Sequence, residues 1–466
     1  MRTEATLLAL CVVLWALASG CGTEPASESA RPDVLLITVD TLRADQVHAY
    51  GFPLESTPNL DSLAERGALF ETAIAASSRT VPSHASMFSS RWVREHSVGT
   101  FNGSSRLEDV ETLAEQFRAA GYETAAFVSN FVLKRRTGLD RGFDVYDDEL
   151  PALEINRQGH FERLAEDTTR RALAWLSTDR GDRPIFLWVH YQDPHGPYAA
   201  PASFAENLDL RTPGADPELP VLDRDTGRAG IPRYQALPGA RRPSAYRARY
   251  AEEVAYTDHW LGKLVAAFEQ VRPDEDSVIL VTADHGESFG ESGYFFQHGQ
   301  FASPEQTEVP FIVVAPGILP VRHVAWVSHV DVAPTLLDLA GLPPLREASG
   351  LSLAPLVLDG VPLPSRTLYA ETPRELSAFY EDGYLRIRPG PPRSAESLRN
   401  PLDLNGDLRW QRFRRTQGGG WKTADRPDQL PAPVQEFLRE RAAKADAAPF
   451  DESDVARLRA LGYLPE

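Results

Sequence analysis

"DVLLITVD" (residues 33–40) is the stretch that decides the fold. Its apolar and β-branched residues run without alternation between two aspartates, so both faces of this strand should be covered. Such a strand belongs in the middle of a parallel sheet, where the loops at the carboxyl ends collect ligand-binding residues. Asp40 is thereby placed at a functional end. Working outward, "PIFLWVHYQDPHGPY" (184–198) reads as another buried strand running into a histidine-rich loop, and "DSVILVTADHGES" (276–288) as a third ending at Asp284 and His285. Helices intervene. "TPNLDSLAERG" (57–67) has Thr57 as cap, Pro58 in the first turn and Gly67 past the end, while "VETLAEQFRAAGYETAAFVS" (110–129) reads as helix, glycine stop and strand. This alternation predicts an α/β fold with a mostly parallel sheet covered on both faces.

With 466 residues, 42% of them hydrophobic and 24% charged, the chain is long enough for one large domain and a smaller one. A net charge of −18 argues against nucleic acid as a partner, and the cluster Lys134-Arg135-Arg136 is too short to be more than a solvated face. At the N-terminus, the apolar run from Ala5 to Ala18 falls short of the about 20 residues that span a bilayer but suits a signal-peptide core. It leads to Ala18-Ser19-Gly20-Cys21, which resembles the bacterial lipoprotein signal. On that reading residues 1–20 are removed, Cys21 carries lipid, and residues 21–32 form a polar tether. The protein would then be extracytoplasmic and lipid-anchored to a bacterial membrane, at the periplasm or cell surface. Cys11 would leave with the signal, so no internal disulfide is expected.

"SSRTVPSHASMFSS" (77–90) poses a choice between a helix cap at Thr80 and a nucleophile there. The strand-end rule gathers Asp40, the segment from His190 to His195, and Asp284 with His285 on one side of the sheet. Asp40, Thr80, Asp284 and His285 together offer a divalent cation hard oxygens and one imidazole. His84, His195 and His298 are candidates for steadying charge or protonating a leaving group. Asn130 is suspected from its place after a strand. The stretch from Ala199 to Ser244 has no periodicity and is expected to be a surface excursion or a cover for the pocket. Beyond about Leu363 a smaller sheet is expected.

Five blocks in order, "DVLLITVDTLRADQVHAYG", "TPNLDSLAERGALFETAIAASSRTVPSHASMF", "HYQDPHGPY", "ADHGESFGE…QHG" and "VSHVDVAPTLLDLAGLP", resemble the sulfatase family of the alkaline phosphatase superfamily. The tail "VARLRALGYL" is similar to endings of bacterial members. The resemblance implies an alkaline phosphatase-like, mixed but mainly parallel sheet between helices over residues 33–362, then a C-terminal α+β subdomain over residues 363–466 with a short antiparallel sheet. It also implies that Asp40, Asp284 and His285 bind one divalent metal, that Thr80 holds the nucleophile position, and that His195 contacts the transferred group, with His298 near the place of a basic residue that does likewise. The family signature has the form Cys/Ser-x-Pro-x-Arg, whose first residue becomes formylglycine. Here Thr80 cannot make that aldehyde, His84 replaces the arginine, and Thr41 stands where a second acid is usual. The imidazole in the metal set favours manganese or zinc over calcium. The expected activity is hydrolysis of a sulfate or phosphate ester of a small molecule or glycan through Thr80. A phosphodiesterase or phospho-group transferase, and a catalytically silent binder of sulfated or phosphorylated glycans, are the alternatives.

Overall fold

Strand register sets the geometry of the molecule. The computed structural model describes residues 31–99, 106–157, 159–178, 181–205, 216–272, 276–380, 382–390, 408–417 and 419–440. The leader, Cys21 and residues 441–466, with "VARLRALGYL", lie outside the described residues. The main sheet is built from Asp33–Val39 (β1), Ala68–Phe70 (β2), Glu123–Val128 (β3), Val145–Asp147 (β4), Ile185–Tyr191 (β5), Ser277–Ala283 (β6), Phe311–Val314 (β7) and Val321–His323 (β8). Their order is β8-β2-β7-β6-β1-β5-β3-β4, and every pairing is parallel except those of β7 with β6 and β2. All of β1 is buried, as its unbroken apolar run requires.

Val39 pairs with Tyr191 on one side and Ala283 on the other. The next residues of the three strands, Asp40, Gln192 and Asp284, therefore leave the sheet side by side. Two groups of helices cover it: Pro58–Arg66 (α1), Ala165–Leu176 (α4) and Pro243–Phe268 (α5) pack together, as do Thr80–Ser89 (α2), Leu113–Ala119 (α3) and Val332–Leu339 (α6).

Pro58 opens α1 and Gly67 follows it, as expected, but the cap differs. Thr57 makes no capping bond; its hydroxyl accepts the His48 N–H instead. Asp258, reaching across from α5, accepts the N–H groups of Asn59 and Leu60 at 3.1 and 2.8 Å. A tertiary carboxylate thus does what a local hydroxyl was expected to do.

Five strands, Leu368–Thr372 (β9), Glu375–Tyr380 (β10), Gly383–Pro389 (β11), Leu408–Arg415 (β12) and Trp421–Ala424 (β13), form a consecutive antiparallel sheet with its own core, closed by Ala432–Glu440 (α7). Phe437 of α7 stacks on Tyr369 of β9 at 3.6 Å. Between the two units, the buried Arg94 guanidinium donates to both oxygens of Glu371 on β9 at 3.1 Å. Glu371 N–H also donates to the Ala76 carbonyl, so the second sheet braces the chain just before Thr80.

Candidate active site

Thr80 is the first residue of α2, not its cap. The cap position belongs to Arg79, whose side chain makes no capping bond. The Thr80 hydroxyl lies 3.3 Å from His285 Nε2, inside the polar cluster at the ends of β1 and β6. The capping alternative for Thr80 therefore fails.

Asp40 and Asp284 are wholly buried. Asp40 Oδ2 accepts from the Asn130 amide at 2.6 Å, and Asp284 Oδ1 accepts from the N–H groups of Thr41 and His285 at 3.2 and 2.7 Å. Each carboxylate keeps one oxygen, Asp40 Oδ1 and Asp284 Oδ2, without a hydrogen-bond partner among the described residues. His285 Nε2 stands 3.7 Å from the first and 3.6 Å from the second. Burial raises the Asp284 pKa to about 8, against the pull of the N–H bonds from Thr41 and His285. Burial, with the charge of Asp284, also pushes Asp40 well up. The His285 pKa lies well below its usual value, by burial first and the neighbouring His298 second. Two orphaned acid oxygens and a neutral imidazole nitrogen converging within 4.8 Å fit a divalent cation, which would restore both acids to their charged form. Thr41 holds the turn between them at φ 58°, a left-handed conformation costly for a β-branched residue.

His84 is placed otherwise than its expected role requires. Trp188 Nε1–H donates to the Thr38 hydroxyl at 3.0 Å, and an indole nitrogen can only donate. The Thr80 carbonyl, 2.8 Å from His84 Nδ1, can only accept, so the neutral ring carries its proton on Nδ1 and Nε2 accepts from the Thr38 hydroxyl at 3.0 Å. Burial lowers the His84 pKa to about 4, so the ring stays neutral. Both nitrogens are engaged behind α2, and His84 braces Thr80 instead of meeting an ester. The same bonds disqualify a second metal group of His84, His190 and Asp284, although their atoms are close enough to suggest one.

His195 and His298 do border a cleft of about 680 Å³, counting the space open to solvent, together with Arg79, Thr80, Asn130 and Gln192. Their rings are 5.2 Å apart, and His298 lies 4.3 Å from His285. Each turns Nδ1 to a buried glutamate: His195 to Glu154 at 3.6 Å, His298 to Glu287 at 3.4 Å. Burial depresses both pKa values, that of His298 to about 3.

Residues 32–342 match the family model described as Sulfatase. The chain belongs to the sulfatase family. Among relatives of this sulfatase-family chain, a choline-sulfatase of Rhizobium meliloti is 28% identical over 71% of this chain and 72% of its own. A multifunctional alkaline phosphatase superfamily protein of Trinickia caryophylli is 25% identical over 72% and 79%. A phosphonate monoester hydrolase of Silicibacter pomeroyi shares the fold with a TM-score of 0.61, at 19% identity, covering 93% of this chain and 94% of its own. The protein is thus a hydrolase of sulfate or phosphate esters, and its family uses a divalent metal.

Sequence reasoning missed several residues of the sulfatase-family cleft. Glu154 and Arg157 sit on an irregular hairpin without periodicity, and Tyr234 on the long insertion, so none of the three carried a signal. The insertion does border the cleft: its Gln235 side chain covers Gly196, where any added Cβ would come within 1.9 Å of it. Asn130 could be suspected from its place after β3, but not its bond to Asp40.

Proposed function

We propose that this hydrolase cleaves a phosphate ester by in-line attack of Thr80, as an extracytoplasmic enzyme held to the membrane through lipid on Cys21. The observation that carries the reading is the Thr80 hydroxyl directed at His285 and the orphaned acid oxygens, in a position that no cap explains. Threonine cannot become formylglycine, so a covalent ester on Thr80 has no aldehyde route of breakdown and must be cleaved by water at its central atom. Phosphate suits that two-step displacement. The names of relatives span both ester classes, a choline-sulfatase and a phosphonate monoester hydrolase among them.

Asp40, Asp284 and His285 would hold the metal, with the Thr80 oxygen beside them. The metal supplies positive charge that favours ionisation of the nucleophile and offsets charge developing on the ester oxygens. Asn130 keeps Asp40 turned so that Oδ1 stays available. His84 fixes the first turn of α2 through the Thr80 carbonyl, and the free N–H groups of that turn favour an anion at its mouth. His195 and His298, neutral and at the cleft wall, handle protons on the ester and on the attacking water.

Purified protein assayed with aryl sulfate, phosphate monoester and phosphodiester, each with manganese, zinc or calcium, tests the reading. Turnover is expected on a phosphate ester with manganese or zinc; turnover confined to the sulfate would overturn the choice of ester.

A further inference from the structure

The segment "LPALEINRQGHFERL" (150–164) has no helical or strand period, yet it forms one wall of the cleft. Ala152–Leu153 pairs antiparallel with Phe161–Glu162. The hairpin is fastened to the sheet ends by a bridge between Asn130 and Glu162 and by Gln192 Nε2 donating to Glu162 at 3.0 Å. Its strand leads directly into Glu154, which is 5% exposed. One carboxylate oxygen, Oε2, accepts from Arg157 at 3.4 Å, and the Arg157 guanidinium lies over the Tyr234 ring at 4.4 Å. The other oxygen, Oε1, faces His195 Nδ1 at 3.6 Å. That nitrogen is sealed from solvent and makes no fully formed hydrogen bond among the described residues, with the Gly196 backbone as a second acceptor beside the ring. The 9% of the side chain that remains exposed belongs to a ring bordering the cleft.

We propose that Glu154 is a positioning residue that takes the Nδ1–H of His195 and so presents Nε2 to the ester and the attacking water. A neutral imidazole carries one N–H, and the partner of one nitrogen fixes the state of the other. Arg157, packed on Tyr234, keeps the carboxylate from turning away. The 3.6 Å separation exceeds a formed hydrogen bond, and such contacts tighten when substrate closes the site. The inference rests on the proposed phosphate-ester reaction. In its second half the water oxygen bonds to phosphorus while the bond from phosphorus to Thr80 Oγ1 breaks. One water proton passes to His195 Nε2 and on to the departing threonine oxygen, which restores the hydroxyl.

The test reads the His195 ring directly, by ¹⁵N NMR of the metal-loaded, substrate-free full chain, with its signals assigned by their loss in His195→Gln. The expected wild-type state is Nδ1–H; Glu154→Ala should shift it toward Nε2–H, and Glu154→Gln, whose amide oxygen still accepts, should keep Nδ1–H. In turnover, Glu154→Ala should lower kcat about 10- to 100-fold with KM nearly unchanged, and Glu154→Gln should recover most of that loss. Glu154→Leu, closer in volume, replaces the alanine variant if that one does not fold. An unchanged tautomer in Glu154→Ala or Glu154→Leu would overturn the assignment, whatever the effect on kcat. Because the tautomer is read without substrate, failure of the Thr80 reaction scheme would leave this result standing.

Discussion

Thr80 Oγ1 lies 3.3 Å from His285 Nε2, although the two residues are 205 positions apart in the chain. One begins helix α2 and the other follows strand β6, so only the folded sheet brings them together. The contact also joins the metal question to the nucleophile question, since His285 borders both carboxylates.

Replacing Asp284 with Ala should abolish stoichiometric metal binding, because it removes the acid that lies within reach of both Thr80 and His285. Elemental analysis of the dialysed variant checks this; full occupancy would contradict the assignment of Asp284 as a ligand.

His84→Ala should leave the metal content intact while depriving the buried Thr80 carbonyl and Thr38 hydroxyl of a partner. Urea unfolding should show a loss of about 1–3 kcal/mol, the range for a buried polar group left unsatisfied, with activity reduced as well. Loss of metal from a folded His84→Ala would show instead that its ring is a ligand.

The main sheet was legible because its strands are apolar on both faces and end in chemistry-bearing residues, as in "DVLLITVD" and "ILVTADHG". Asp40, Asp284 and His285 could be found by that rule alone. His84 could not, because only its folded contacts with the Thr80 carbonyl and the Thr38 hydroxyl reveal which way its ring is held. The cap of α1 escaped for a similar reason: Asp258 is about 200 residues away and reaches its target through packing of α5 against α1. Glu154 lies on a hairpin whose paired strands are two residues long, too short to show any period.

Asp258 should also write a pH dependence into stability. Burial raises its pKa to about 6, against the N–H bonds of Asn59 and Leu60. In the unfolded chain the value is about 3.9, so between these values the folded state holds the proton more tightly. Its contribution is full below about pH 4 and is lost as pH rises through about 6. Denaturation curves from pH 4 to 7 should lose this slope in Asp258→Asn; an identical slope would place the titration elsewhere.

Glu371→Gln should leave the buried Arg94 without its counter-charge and destabilise the protein by about 3–5 kcal/mol. Thermal unfolding checks the size. A change of a few tenths would mean that the Phe437 carbonyl, which also accepts from Arg94, suffices to hold that guanidinium.

Attack of Thr80 on the ester is read most directly by quenching a phosphate-ester reaction in acid and mapping the modified peptide by mass spectrometry. Phosphate should be found on Thr80 in the wild type, whereas purified, folded Thr80→Ala should carry none and lose several orders of magnitude in turnover. Full turnover in Thr80→Ala, with no phosphate on the Thr80 peptide of the wild type, would contradict the account.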